Sequence, residues 1–84
     1  MKPTDIYQCA IKRVFSNLYG VLPDEVDVSW SADGDTITVH CAGKTFTHQI
    51  RDDNDQSPEF VSDKEDPITV RLTDEERRRL ERAI

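Results

Sequence analysis

The sequence predicts a small α+β domain in the order α-β-β-β-β-α: an N-terminal helix, a three- to four-stranded, mainly antiparallel meander sheet, and a short C-terminal helix. Three observations carry this expectation. Apolar residues recur at helical spacing before Gly20 and alternate with polar ones in three short runs between Val26 and Ile50. Asp33-Gly34 and Gly43-Lys44 interrupt the alternating stretch where hairpin turns belong. The closing segment ITVRLTDEERRRLERAI, from Ile68 to Ile84, passes directly from strand alternation into a capped helix.

The first helix is predicted from Asp5 to Tyr19, with Thr4 as its N-cap. At 100° per residue, Ile6, Tyr7, Ala10, Ile11, Val14 and Leu18 form one apolar stripe, with Phe15 at its edge. Asp5, Cys9, Lys12, Arg13 and Ser16 fall on the opposite side. Gly20 stands where a left-handed residue ends a helix, and Leu22-Pro23-Asp24-Glu25 reads as a turn. Two-residue loops at Asp33-Gly34 and Gly43-Lys44 would align the rows Trp30–Ile37–Ile50, Val28–Val39–His48 and Val26–Cys41–Phe46 on one face. A slip of one residue would turn that face inside out. A fourth strand follows Pro67, with Ile68, Val70 and Leu72 facing inward and Thr69 and Arg71 outward. Thr73 and Glu76 have capping-box spacing, so the last helix is expected to begin at Asp74. It is short and must dock on another element to persist.

The 84 residues suit one domain, 1–84, with a flexible acidic loop expected at 51–66. No apolar run approaches the ~20 residues of a membrane span, and the N-terminus lacks the apolar core of an export signal. Cys9 and Cys41 are too few for a disulfide scaffold, and a cytoplasmic protein is expected. The net charge of −6 is unevenly spread. Asp52, Asp53, Asp55, Glu59, Asp63, Glu65 and Asp66 outweigh Arg51 and Lys64, so residues 51–66 alone carry −5. Residues 67–84 carry +1.

That last segment resembles the start of the ribbon-helix-helix family of DNA-binding proteins, on the alternation Ile68-Thr69-Val70-Arg71-Leu72 followed by a capped helix. The resemblance implies a dimeric DNA-binding regulator whose outward strand residues, Thr69 and Arg71, read bases, with Arg77, Arg78 and Arg79 as further nucleic-acid-binding residues. The family pattern continues into a second helix, whereas the sequence stops at Ile84. The acidic stretch just upstream would repel phosphates. The element order is also similar to that of double-stranded-RNA-binding domains. Those contact phosphates through a lysine-rich second helix, and here acids alternate with arginines.

Catalysis and metal binding find little support. Asp27, His40 and Thr47 are expected to align across three strands on the polar face, with Ser29 and Thr38 beside them. An acid, a base and a hydroxyl are the parts of a small hydrolase, but a flat sheet face supplies neither a pocket nor oxyanion donors. His40 and Cys41 are adjacent in a strand and point to opposite faces. Cys41 and His48 share a face, but Cys9 is on the wrong side of its helix to join them. The run Asp52-Asp53-Asn54-Asp55 suggests calcium, but an EF-hand register would put Ser57 at the required glycine. No cofactor, catalytic residue or metal ligand is expected.

Binding remains. The seven acids of 51–66 are the expected partner-binding residues, against a protein with a basic surface; neither nucleic acid nor membrane is the expected partner. Small acidic inhibitors from phages and mobile elements share this profile of size and charge. As a nucleic-acid mimic the loop is sparse. Extended, the fifteen residues from Asp52 to Asp66 span about 50 Å at ~3.3 Å each. That is roughly one charge per 7 Å, against one per ~1.7 Å of duplex axis. Mimicry would need Asp33 and Asp35, or Asp24 and Glu25, as well. Homodimerisation through the fourth strand is a second route to a partner surface.

Overall fold

The computed structural model describes residues 3–51 and 56–83. Helix α1 (Pro3–Tyr19) leads through a 3-10 turn (Pro23–Glu25) into strands β1 (Asp27–Trp30), β2 (Thr36–Cys41) and β3 (Lys44–Gln49). Strands β4 (Glu59–Phe60) and β5 (Ile68–Thr69) follow, and helix α2 (Asp74–Ala83) comes last. The architecture is α+β, as the sequence predicts.

Helix α1 starts at Pro3 and not at Asp5, so Thr4 lies inside the first turn and is not its N-cap; proline suits a first turn, where its missing N–H costs nothing. The other helix ends follow their local chemistry. Gly20 adopts φ +65°, and the Val21 amide donates back to the Ser16 carbonyl at 3.1 Å, closing α1. At the start of α2, the Glu76 amide donates to Thr73 Oγ1 at 3.1 Å and the Thr73 amide to Glu76 Oε1 at 2.8 Å. That is the reciprocal capping box expected at this position.

Strands β1, β2 and β3 pair antiparallel in that order. In the first hairpin Trp30 faces Ile37 and Val28 faces Val39, as expected. The second hairpin departs from expectation by two residues: Cys41 faces Lys44, Val39 faces Phe46 and Ile37 faces His48. The turn is Ala42-Gly43, with φ of 53° and 74°, instead of Gly43-Lys44. Both central residues of a type I′ turn need positive φ, and this placement puts Gly at the second of them while leaving Lys44 in the strand. A shift of two preserves the faces. It also seats Phe46 beside Val39, where both are fully buried, and sets His48 opposite Ile37 with its ring 5.2 Å from that of Phe60.

The stretch expected as a loop contributes a strand. Glu59 and Phe60 pair with Thr69 and Ile68. The pairing continues past the formal ends of both strands: Val70 N–H donates to the Pro58 carbonyl at 2.9 Å and Leu72 N–H to that of Gln56 at 3.1 Å. Pro58 has no N–H to return, which is why regular ladder geometry stops there. Thr47 and Val61 exchange two bonds of 2.9 Å, joining β4 to the edge of β3. The fourth strand of the prediction is therefore β5, and it reaches the meander through β4.

One core unites these elements. Ile6, Ala10, Ile11 and Phe15 of α1 are buried with Val26, Ile37, Val39, Phe46, Phe60, Val70, Leu72 and Leu80. Phe15 is the hub, tilted against Phe46 at 5.2 Å and edge-on to Phe60 at 5.8 Å. It is not at the margin of the apolar stripe. The buried arc of α1 is wider than the apolar stripe because a second element covers the helix: α2 packs beside it. Ser16, expected outside, is buried. Arg13, also expected outside, donates through one guanidinium nitrogen to Glu76 Oε1 and to the Arg71 carbonyl, both at 2.9 Å. Leu18, expected inside, is 57% exposed.

Candidate interaction surface

The acidic segment comes first. Asp52, Asp53 and Asp55 lie outside the described residues. Of the other four acids, Glu59, Asp63 and Asp66 are exposed and have no ion pair among the described residues. Glu65 is half-buried and accepts from Lys44 Nζ at 2.7 Å, and this contact raises the Lys44 pKa. Lys44 therefore ties the tip of the second hairpin to the chain leading into β5. The auxiliary acids are partly engaged locally. The Asp33 carboxylate accepts from Ser31 Oγ at 2.5 Å and from the Asp35 amide at 3.1 Å, which holds its pKa below the usual carboxylate value. Glu25 accepts from the Leu22 amide at 2.8 Å.

The arginine arm is placed less favourably for reading DNA. Thr69 and Arg71 point outward as expected, but Thr69 lies opposite Glu59. Residues 68–72 spend one edge on pairing with 56–60, and on the other edge the Arg71 carbonyl is taken by Arg13. Arg79 pairs with Glu75 at 2.5 Å, as the i,i+4 spacing favours. Arg77 pairs with Asp74. Arg78 is exposed.

On the open sheet face Asp27 sits opposite His40, as expected, but the register change removes Thr47 from that row. Thr45 replaces it, its Oγ1 3.0 Å from His40 Nδ1. Thr47 lies opposite Thr38. Two open grooves flank the Thr47–Val61 bridge, one lined by Lys44, Thr45 and Ser62, the other by His48, Gln49 and Ser57. Neither contains Asp27 or His40. Cys41 is buried in the core, which pushes its thiol pKa up, and Cys9 is exposed on α1. Among the described residues no three His, Cys, Asp or Glu side chains are placed to hold a metal ion. The Asp52–Asp55 run falls outside them. No described helix is long and apolar enough to cross a membrane.

A further feature is not announced by the sequence pattern. A shallow groove of about 450 Å³ runs between the last turn of α1 and the chain entering β5, lined by Leu18, Tyr19, Glu65, Asp66, Pro67 and Ile68. The helical stripe places Leu18 with the core residues. One signal separates it from them: it lies in the last turn before Gly20, where the chain turns away. No protein-family model, curated protein or solved structure matches the chain.

Proposed function

We propose that this chain is a small non-catalytic protein-interaction module, acting in the cytoplasm as an inhibitor or regulator of the phage or mobile-element type. It docks on a basic, nucleic-acid-binding surface of a partner protein. The observation that carries the reading is the electrostatic state of Glu59, Asp63 and Asp66: exposed, and with no cation committed to them among the described residues. Surface charges of this kind steer association and fix the partner's sign more than they set affinity. Asp52, Asp53 and Asp55 add charge of the same sign from the neighbouring sequence.

The test compares the wild type with a variant carrying Glu59→Gln, Asp63→Asn and Asp66→Asn, as tagged baits in source-organism lysate. Both are run at low and moderate salt, with and without nuclease. Supporting this reading, a basic protein is retained by the wild type after nuclease, leaves with salt, and is depleted on the triple variant. Equal retention by the two baits at low salt rejects the reading. Nucleic acid bound before nuclease, with no protein after it, favours the arginine arm, and Arg71→Ala with Arg78→Ala should then abolish retention.

A further inference from the structure

The groove beside Leu18 combines three properties that arise independently. The first is apolar surface. Leu18 is 57% exposed, while Ile68 and Tyr19 are half-buried and pack with the core, so the groove floor is continuous with the interior. The second is acid. Asp66 is exposed on one wall, and Glu65 stands beside it, paired with Lys44. The third is the end of α1. A helix of 17 residues presents roughly half a negative charge at its C-terminus, and the last turn of α1 holds no basic residue to offset it. The Val21–Ser16 bond satisfies one terminal carbonyl. Apolar, acidic and dipolar contributions meet at the same place.

We infer that this groove receives a basic amphipathic helix of the partner protein, one apolar side chain seating between Leu18 and Ile68 while flanking Lys or Arg side chains meet Asp66, Glu65 and the α1 C-terminus. The inference rests on the acidic-docking reading above and deepens it, because it names the partner's shape and moves the centre of contact from the acids to Leu18. Charge complementarity selects the occupant. A second copy of this chain would bring two acidic rims together, and a purely cationic strand would leave the apolar floor wet. Helix-in-groove recognition uses an apolar anchor of this kind, with the rim setting sign and orientation.

The probe is a synthetic helical peptide of Leu and Lys with one apolar face, compared with a scrambled peptide of equal composition that has no such face. Binding is measured by fluorescence anisotropy and by amide chemical-shift mapping on the intact chain. Expected for the wild type is a preference for the amphipathic peptide, with shifts centred on Leu18, Tyr19 and Ile68. Leu18→Arg should weaken that peptide about tenfold or more while barely affecting the scrambled one, since burying a leucine-sized contact supplies that factor. Leu18→Ala, which adds no charge, should lose severalfold. Leu18 is exposed, so both variants should melt with the wild type. Equal affinity for the two peptides, with shifts confined to residues 59–63, overturns the groove and leaves acidic docking standing. No binding of either peptide at low salt overturns the parent reading as well. A wild type that sediments as a dimer and is made monomeric by Leu18→Arg assigns the groove to a second copy and overturns the inference.

Discussion

The β1–β2–β3 meander and the arm formed by β4, β5 and α2 reach the same core by different means. The meander is specified locally: strict alternation, two turn dipeptides, and partners close in sequence. The arm has two short strands separated by seven residues and a helix with very few apolar side chains. It is held by single anchors: Phe60, Val70, Leu72 and Leu80 in the core, and Arg13 reaching from α1 to Glu76 and the Arg71 carbonyl. Local patterning builds a sheet, whereas isolated anchors attach a segment to it.

The comparison breaks most readily at Phe60. If the arm were an appendage, Phe60→Ala would free residues 56–83 and leave the meander stable. Phe60 is fully buried against Phe15, however, and Phe15 also packs on Phe46. We therefore expect Phe60→Ala and Phe46→Ala to cost about 3–5 kcal/mol each in urea unfolding. Hydrogen exchange in β2 should accelerate in both. Unchanged β2 protection in Phe60→Ala would show two independently stable regions.

What the sequence revealed follows the same division. Binary patterning was enough for the strands β1 to β3 and their faces, for the stripe of α1 and its Gly20 stop, and for the capped start of α2, because each signal lies within a few residues of its effect. It missed the β2–β3 register by two residues and the start of α1, which is Pro3 and not Asp5. Phe60-Val61 after Pro58 carries too little pattern to announce a strand, since β4 exists only by pairing with residues close to it in space. The partial burial of Arg13 beside α2 depends on a contact distant in sequence, whereas Leu18 escapes the core because it lies in the last turn before Gly20. The candidate site divides likewise. The acids of 56–66 are legible as charge, but Glu65 with Lys44 and the Leu18 groove arise from tertiary placement.

A smaller effect is expected at Glu76, where a local device and a long-range anchor share one oxygen: Oε1 accepts from both the Thr73 amide and Arg13. Glu76→Ala removes both roles and should cost about 1–3 kcal/mol, combining a lost cap with a partly buried guanidinium left without its anion. Glu76→Gln retains capping-box geometry and should recover part of that loss. A double-mutant cycle with Arg13→Ala should give a coupling of about 0.5–3 kcal/mol, as for residues in one network. A coupling near zero would mean that the cap alone matters and that the arm is fastened by apolar contacts only.

The smallest effect sharpens the meander side, because two adjacent turn placements predict opposite signs. Ala42 holds φ 53° without glycine's freedom, while Gly43 beside it holds 74°. An L-residue other than Asn, Asp or Gly is strained there by about 1–2 kcal/mol, and Asn-Gly is the preferred type I′ pair. Ala42→Asn should therefore stabilise the fold by about 0.5–1 kcal/mol, part of the strain being recovered. With the turn at Gly43-Lys44, position 42 would instead lie in the paired strand, where Asn is disfavoured, and the same change would destabilise. Lys44→Gly runs the other way: it would relieve a turn at Gly43-Lys44, but in the observed register it deletes the Glu65 contact and weakens β3. Urea midpoints of the two variants, shifted up for Ala42→Asn and down for Lys44→Gly, would fix the register through the sign of each change, independently of its size.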